Sequence, residues 1–598
     1  MHSLKSQLES CLCLLDGGSN LNWLNVFCAE FLEFVNKLQK SINNQLEYDA
    51  LEIICLCLTQ IMICVRHLEY TIQTETASGS RIMASHHHFV DRIRVCLQRL
   101  CVALTPSAAA GTQNNATEGI SYLKLLDSLL DSLAEFTIYN ENRSLDSNTI
   151  DSPLEILNLS KQIKLQIDLL LGQTLSFANV ALQQDKKALS ALCQKVMRDC
   201  GAFQGECQLS PASLPRSSNI SNQKLRAMTL EHALHQLEDY LNEALLRLVF
   251  TCLLDFQRIS VDKIRNLLRC TRTEKSVATA DDFIADFDVN LDRATQIGIF
   301  AIAFAPNLKI KTTVRSCLAS FEYLDTSLIP SLHGNASDLH SELLEQHFNE
   351  EMSTFKTALH EIMDSRAFVG CYLHMLTTGI ITAEKQFDKI QLEHLAQMGF
   401  YIVEHFQFSV NQKVLLQHEN LQNFVRILRE CKAILMCASQ VQPDRILKRF
   451  KILRTILRKF HNSLAAAESK PAANEPHPHR EETDICTEAS YTPIQSLMAS
   501  PSRSILYETR KNRSRTAEIN QLTNAEQTLN KSLKPRALNC LRRKQSLRTN
   551  MFKRQTVVES IKLQHTIGSQ TASLEISEIL DQLTCLTSNF SGSLSGRK

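Results

Sequence analysis

The feature of this sequence that most constrains its fold is a long stretch without helix-breaking residues. Neither Gly nor Pro occurs between Arg216 and Ile297. Over residues 224–270 the apolar side chains recur every three or four positions, which is the spacing of one face of an α-helix. An unbroken helix of that length would extend about 70 Å, enough to span two consecutive bundles. Its apolar stripe consists of Leu230, Leu234, Leu237, Leu241, Leu245, Leu248 and Cys252.

The same scarcity of turn residues holds for the whole chain. It has 16 Gly and 13 Pro among 598 residues, about 5% where average composition gives roughly 12%. Sandwiches, propellers and doubly wound α/β folds need more turn residues than this. A hydrophobic content of 44% excludes a wholly disordered chain. We therefore predict an all-α fold of consecutive antiparallel helix bundles joined by long shared helices.

Clusters of helix breakers predict where the bundles begin and end. They indicate an N-terminal bundle at 1–110, a second at 118–215, a third at 222–335 that the long helix enters, and a C-terminal bundle at 338–462. From 463 to 598 Ser, Thr, Asn, Arg, Lys and Pro dominate, which predicts a mostly disordered basic tail.

Charge is distributed unevenly along the chain. The net charge of +1 combines +10 over residues 501–560 with −9 over residues 1–500. A mildly acidic body with a basic tail is not typical of a nucleic-acid-binding protein, so no nucleic-acid partner is expected.

The cysteines and apolar segments predict the compartment. Twenty cysteines are scattered, none in a CxxC pair, and several lie inside apolar helical runs, so we predict reduced core thiols. The N-terminus has no secretory signal pattern. The strongest apolar run, residues 53–65, has 13 residues, and a membrane span needs roughly 20. These observations predict a soluble cytoplasmic protein.

The sequence has no motif of a known catalytic or nucleotide-binding site: GxxxxGK[ST], GxGxxG and GxSxG are all absent. His360 and Glu361 begin like a zinc-protease helix, but Asp364 stands where the second histidine is needed, so we interpret them as a surface pair. The adjacent histidines 86–88 would point in three directions on a helix. We predict no enzyme activity, no catalytic residue, no metal site and no cofactor.

Residues 445–460 are typical of a basic amphipathic helix. Ile446, Phe450, Leu453, Leu457 and Phe460 recur as one narrow apolar stripe. Such a helix can lie on anionic lipid, dock on an acidic filament or bind as a target helix, or it can simply close a bundle with a solvated basic face. The candidate actin- or membrane-contact residues across from the stripe are Lys448, Lys451, Arg454, Arg458 and Lys459.

A second basic element lies in the predicted tail. Polybasic flexible segments are attracted to anionic membranes by about 1 kcal/mol per Lys or Arg, screened by salt. A nuclear localisation signal and plain solubility are the alternatives. The candidate contact residues of this element are Arg542, Arg543, Lys544, Lys553 and Arg554.

Six stretches of the sequence carry a family resemblance. They are residues 22–31, 57–60, 177–193, 225–234, 241–246 and 260–265. In these stretches the chain resembles the insect serendipity alpha proteins, divergent relatives of the vinculin and α-catenin family. Residues 294–330, with small side chains at Ala301 and Ala303, look like a helix pair from an α-catenin bundle. The resemblance covers roughly residues 1–460.

The resemblance implies a non-enzymatic scaffold that organises or binds actin filaments at the inner plasma membrane, as furrows enclose the nuclei of the early insect embryo. It implies peripheral attachment to the cytoplasmic side of that membrane. Actin filaments are the expected partner, together with anionic inner-leaflet lipid and other cortical cytoskeletal proteins. The alternative function is a helical membrane-associated adaptor that does not contact actin directly.

Overall fold

The computed structural model of the chain describes residues 2–41, 48–104, 121–142, 153–208, 216–269, 274–332, 339–415, 418–437 and 441–468. These residues are α-helical apart from short connections, which confirms the all-α prediction. They divide into two compact units, the first ending at Met363 and the second beginning at Asp364. The bundle boundaries that were inferred from clusters of helix-breaking residues remain predictions. The tail expected from residue 463 lies outside the described residues, except that 463–468 continue the last helix.

The helices of the first unit are α1 (His2–Leu15), α2 (Leu21–Ser41), α3 (Tyr48–Ser78), α4 (Met83–Ala103), α5 (Tyr122–Asn142), α6 (Pro153–Val180), α7 (Gln183–Gln208), α8 (Arg216–Arg258), α9 (Val261–Arg269), α10 (Glu274–Phe304), α11 (Leu308–Asp325), α12 (Leu328–Leu332) and α13 (Leu339–Ile362). Those of the second unit are α14 (Ser365–Lys385), α15 (Lys389–His405), α16 (Ser409–Gln412), α17 (His418–Met436) and α18 (Pro443–Glu468).

Helices of the first unit pack in rings of four. The helices α1 to α4 form one ring, and α5 to α8 form another. The pair α3 and α4 also packs against α11 and α13, so these two helices serve two bundles at once. Helix α10 packs against α5, α6 and α8 as well as against α11 and α13. Bundles that share helices are therefore a real feature of this fold, as the sequence predicted.

The long helix predicted over 224–270 is in fact two helices. Helix α8 ends at Arg258, and α9 begins at Val261. The break is made by Ser260, whose Oγ accepts the backbone N–H of Lys263 at 3.4 Å, as an N-cap residue does. The Lys263 ammonium in turn donates to the carbonyl of Arg258 at 2.6 Å. The predicted stripe is nevertheless correct, because all seven of its side chains are buried.

Several helix boundaries that the sequence analysis did not mark are set by polar caps. Asn307, Asp364 and Asp388 each stand just before a helix and accept a backbone N–H from its first turn. The distances are 2.9 Å from Ile310 to Asn307 and 2.8 Å from Ala367 to Asp364. A cap ends one helix and starts another without requiring Gly, so a search for breakers misses it.

The second unit is an antiparallel four-helix bundle. Helices α14, α15, α17 and α18 pack pairwise in a closed ring. The direction follows from contacts between opposite ends: Ser365 at the start of α14 lies 3.0 Å from His405 at the end of α15. Lys451 near the start of α18 pairs with Glu384 near the end of α14. This arrangement fixes which face of α18 is buried.

Gly399 allows close packing inside this bundle. A Cβ atom at this position of α15 would lie 2.6 Å from the Tyr372 hydroxyl of α14 and 2.7 Å from Cδ1 of Leu428 of α17. The Tyr372 hydroxyl donates to the carbonyl of Leu395 at 2.9 Å, one turn before Gly399. The glycine therefore sets the distance between three helices of the ring.

One segment of α3, Leu51–Ser78, is long and apolar enough to cross a membrane by length and composition. Its most apolar window has a mean hydropathy of 1.7, and 67% of that window is buried inside the protein, as in a core helix.

The cysteines of the described residues are free thiols and mostly buried, which matches the prediction of core thiols. Cys13 and Cys437 are the exceptions, because both are exposed; Cys437 lies just after α17.

Candidate contact surface on helix α18

Helix α18 closes the second bundle with the stripe that the sequence predicted. Ile446, Phe450, Leu453, Leu457 and Phe460 are at most 1% exposed. The ring of Phe460 packs against Phe406 and Phe424, with centroids 5.2 and 6.4 Å apart. Because this face is held by the core, the opposite face of the helix is presented to solvent.

The predicted basic residues of α18 lie on or beside that outer face. Lys448, Lys451, Arg458 and Lys459 are exposed, and Arg454 is half-buried. The first four residues of this group follow one another at steps of three or four, and Lys459 stands next to Arg458, so the charges lie along the outer side of a rigid helix. The structure thus brings the five candidates of α18 together on one surface.

Two of the basic side chains are engaged with acidic neighbours. Lys451 pairs with Glu384 at 2.7 Å, and Arg449 pairs with Glu430 of α17 at 3.2 Å. The hydrogen bond and charge of Lys451, with a further contribution from Arg454, lower the pKa of the Glu384 carboxyl. These pairs are exposed to solvent and therefore contribute little to stability. They orient two basic side chains beside the outer face.

Three candidates keep their charge available for a partner. In the part of the chain that the structure describes, Lys448, Arg458 and Lys459 have no ion-pair partner. We call these three residues the α18 basic patch. Arg445 is also exposed, and the sequence analysis missed it because it stands before the first residue of the apolar stripe. Ile452 lies among these charges and is 40% exposed.

The remaining candidates have other outcomes. The five basic residues of the tail, Arg542 to Arg554, lie outside the described residues and stay predictions.

His360 is fully buried on the inner face of α13, so its interpretation as a surface residue was wrong. His86 and His88 are buried while His87 is exposed, because His86 stacks on Trp23 and His88 packs on Tyr323. Among the described residues no group of three His, Cys, Asp or Glu side chains is placed to hold a metal ion.

These features define the class of the protein: an all-helical, multi-bundle protein whose only site predicted within the described residues is a charged outer surface. The sequence profile of the serendipity locus alpha protein (SRY-A) family matches residues 1–581. The chain therefore belongs to the serendipity locus alpha family, which confirms the resemblance found in the sequence.

Individual relatives agree with this assignment. Serendipity locus protein alpha of Drosophila virilis is 38% identical over 491 residues, covering 77% of this chain and 87% of the relative. The Drosophila subobscura protein of the same name is 36% identical over 488 residues, covering 78% of this chain and 85% of the relative.

Two solved structures of helical proteins show a distant likeness. A vinculin homolog from a sponge aligns with a TM-score of 0.47 at 10% identity, covering 80% of this chain and 60% of that one. The M domain of HMP-1 aligns with a TM-score of 0.40 at 9% identity, covering 58% of this chain and 99% of that one. The family assignment rests on the sequence relatives and not on these alignments.

Proposed function

We propose that this protein is a non-enzymatic scaffold of the cortical cytoskeleton that binds or organises actin filaments at the inner face of the plasma membrane. Its setting would be the furrows that enclose nuclei in the early insect embryo, as the family resemblance implies. Other cortical cytoskeletal proteins would then bind to further faces of the bundles. The observation that carries the proposal is the α18 basic patch, three unpaired cationic side chains on a helix that the core holds rigid.

The physical argument concerns preorganisation and charge. The stripe of α18 is buried independently of any partner, so binding through the opposite face does not require the helix to fold or move. A filament that presents acidic side chains offers many equivalent sites to such a patch. The attraction between exposed charges decays over about 10 Å at 0.1 M salt, so binding should weaken as salt rises.

The test is co-sedimentation of the full chain with actin filaments across a salt series. The variant Lys448→Glu/Arg458→Glu/Lys459→Glu reverses the patch and should reduce the bound fraction strongly at low salt. Its helix content and melting temperature should stay close to those of the wild type, because none of the three side chains is buried.

The matched control carries the same change of charge elsewhere. Lys124, Lys161 and Lys164 are exposed on α5 and α6 of the first unit. Replacing these three residues by Glu should leave filament binding unchanged. Equal binding by the wild type and the α18 variant would refute a role for the patch, and equal losses in both variants would mean that only net charge matters.

The second candidate is a membrane-associated adaptor without direct actin contact. One observation favours it: Ile452 is exposed among basic side chains, a combination that suits a surface of anionic lipid. Flotation with vesicles containing phosphatidylserine distinguishes the two functions, because an adaptor of this type binds the vesicles and does not sediment with filaments. Reversing Arg542, Arg543 and Lys544 to Glu tests the predicted contribution of the tail in both assays.

A further inference from the structure

The contact of helices α3 and α4 with α11, which lies more than 200 positions later in the sequence, contains several polar side chains. The amide of Gln60 on α3 donates to the carbonyl of Ser316 at 2.9 Å and to the hydroxyl of Ser320 at 3.1 Å. Arg92 of α4 donates to Gln60 at 3.0 Å and to the carbonyl of Ala319 at 3.1 Å. Helices α3 and α4 therefore hold α11 through buried and partly buried hydrogen bonds as well as through apolar packing.

At the neighbouring contact with α13 the polar groups are histidines. His67 of α3 and His347 of α13 face each other with ring centroids 4.3 Å apart. Both rings also pack on Phe89 of α4, at 5.4 and 5.6 Å, and His88 meets the same phenylalanine edge-on at 5.0 Å. We call His67, His88 and His347 the histidine cluster. It joins three helices around one aromatic side chain.

The cluster is almost completely shielded from solvent, and few groups can compensate a charge on it. His67 and His347 are each 3% exposed and His88 is 8% exposed. Among the described residues, neither ring nitrogen of His347 has a hydrogen-bond partner, and Nε2 of His88 has none either. A proton added to any of these rings would create a buried charge, which is costly unless an acidic group is at hand.

The charged and titratable groups around the cluster give limited relief. Glu350 lies 3.4 Å from Nε2 of His67, but that carboxylate is 44% exposed. Arg66 and Arg92 oppose further positive charge, and so do the histidines toward one another. By element, the groups are Arg66 and His67 on α3, His88 and Arg92 on α4, Tyr323 on α11, and His340, His347, Glu350 and Glu351 on α13.

We propose that the histidine cluster makes the attachment of α13 to α3 and α4 sensitive to protons, so that acidification below pH 6.5 opens this contact. When the contact opens, water reaches the three rings and they can take up protons. While it is closed they cannot, so each proton taken up favours the open form. This property is independent of the contact proposed for α18.

The direction and range of the effect follow from the pKa values. Burial lowers the pKa of His67 to about 4 and that of His88 to about 3, and it lowers the pKa of His347 well below its usual 6.5. A group with a depressed pKa stabilises the closed form above pH 6.5 and loses that contribution as pH falls toward its folded value. Between pH 7.5 and pH 5 the open fraction should rise about 30-fold for each histidine that gains water.

The experiment is hydrogen–deuterium exchange of the full chain at pH 7.5, 6.5, 5.5 and 5, corrected for the chemical exchange rate. Peptides from α13 should lose protection steeply below pH 6.5. Peptides from α7, a helix that contains no histidine, should keep theirs. Unchanged protection of α13 down to pH 5 would overturn the proposal.

Variants assign the effect to the cluster. His347→Phe keeps an aromatic ring beside Phe89 but cannot take up a proton, so the pH dependence of α13 exchange should fall by about 30-fold. His67→Phe is the second variant and should show the same loss. The matched control is His87→Gln, an exposed neighbour of the cluster, which should behave like the wild type. A pH dependence equal to that of the wild type in both phenylalanine variants would assign the acid sensitivity to other groups.

Discussion

The close packing at Gly399 gives a prediction whose sign differs from the usual effect of the same substitution. Replacing a mid-helix glycine by alanine normally stabilises a helix by about 1 kcal/mol, because glycine has the more flexible backbone. At Gly399 the new methyl group would lie 2.6 Å from the Tyr372 hydroxyl and 2.7 Å from Leu428. Something in the core of the second unit must therefore move.

The magnitude follows from three contributions. Overpacking a core by one carbon costs about 1–3 kcal/mol. Displacing the Tyr372 hydroxyl from the Leu395 carbonyl loses one buried hydrogen bond, about 1 kcal/mol. Subtracting the gain in helix propensity, about 1 kcal/mol, leaves a net destabilisation of roughly 1–3 kcal/mol for Gly399→Ala. For a unit of this size each kcal/mol lowers the melting temperature by about 4–8 °C.

The assay is scanning calorimetry of the full chain, with two comparison variants. Gly201 lies in α7, and a Cβ atom added there would meet no neighbouring helix or side chain of the described residues within 4 Å, so Gly201→Ala should raise stability instead of lowering it. Tyr372→Phe in the Gly399→Ala background removes the oxygen that the methyl group meets and should recover part of the loss. If Gly399→Ala is as stabilising as Gly201→Ala, the three helices are not as close as the structure places them.

Three further predictions concern the core, a histidine and a thiol. Leu241→Ala should cost about 2–5 kcal/mol in denaturant unfolding, because Leu241 is 2% exposed in the stripe of α8. Burial lowers the pKa of His235, but the hydrogen bonds and charges of Glu231 and Glu238 outweigh it and raise that pKa to about 9. Its contribution to stability is complete below pH 6.5 and is lost as pH rises through 9, so His235→Gln should flatten the alkaline side of the stability profile. Exposed Cys437 should react with a thiol reagent in the native state well before the buried cysteines do.

The sequence predicts the parts of this fold that depend on local periodicity. The stripes of α8 and α18 were identified by the spacing of their apolar residues, and every residue named in them is buried. The basic face of α18 follows from the same periodicity, since a helix that buries one side exposes the other. The break at Ser260 was missed because a hydroxyl cap is a single polar residue in an otherwise unbroken helical pattern.

Long-range pairing could not be predicted in the same way. Nothing local in α3 indicates that Gln60 binds Ser316, 256 positions later in the chain. The histidine cluster is similarly assembled from three helices, and only His88, in the run 86–88, stands out in its own stretch of sequence. His360 shows the converse error: a polar residue was assigned to the surface, although its helix α13 has neighbours on several sides.

The pairing of α3 with α11 also has a consequence for synthesis of the chain. At 5–20 residues per second, the ribosome needs roughly 13–50 s to proceed from Gln60 to Ser316. During this time α3, the most membrane-like helix among the described residues, has been translated but lacks its later partners. In a nascent chain, the face of α3 that packs on α11 and α13, including Gln60, therefore stays exposed for many seconds. The order in which the bundles close thus becomes part of how this fold is reached.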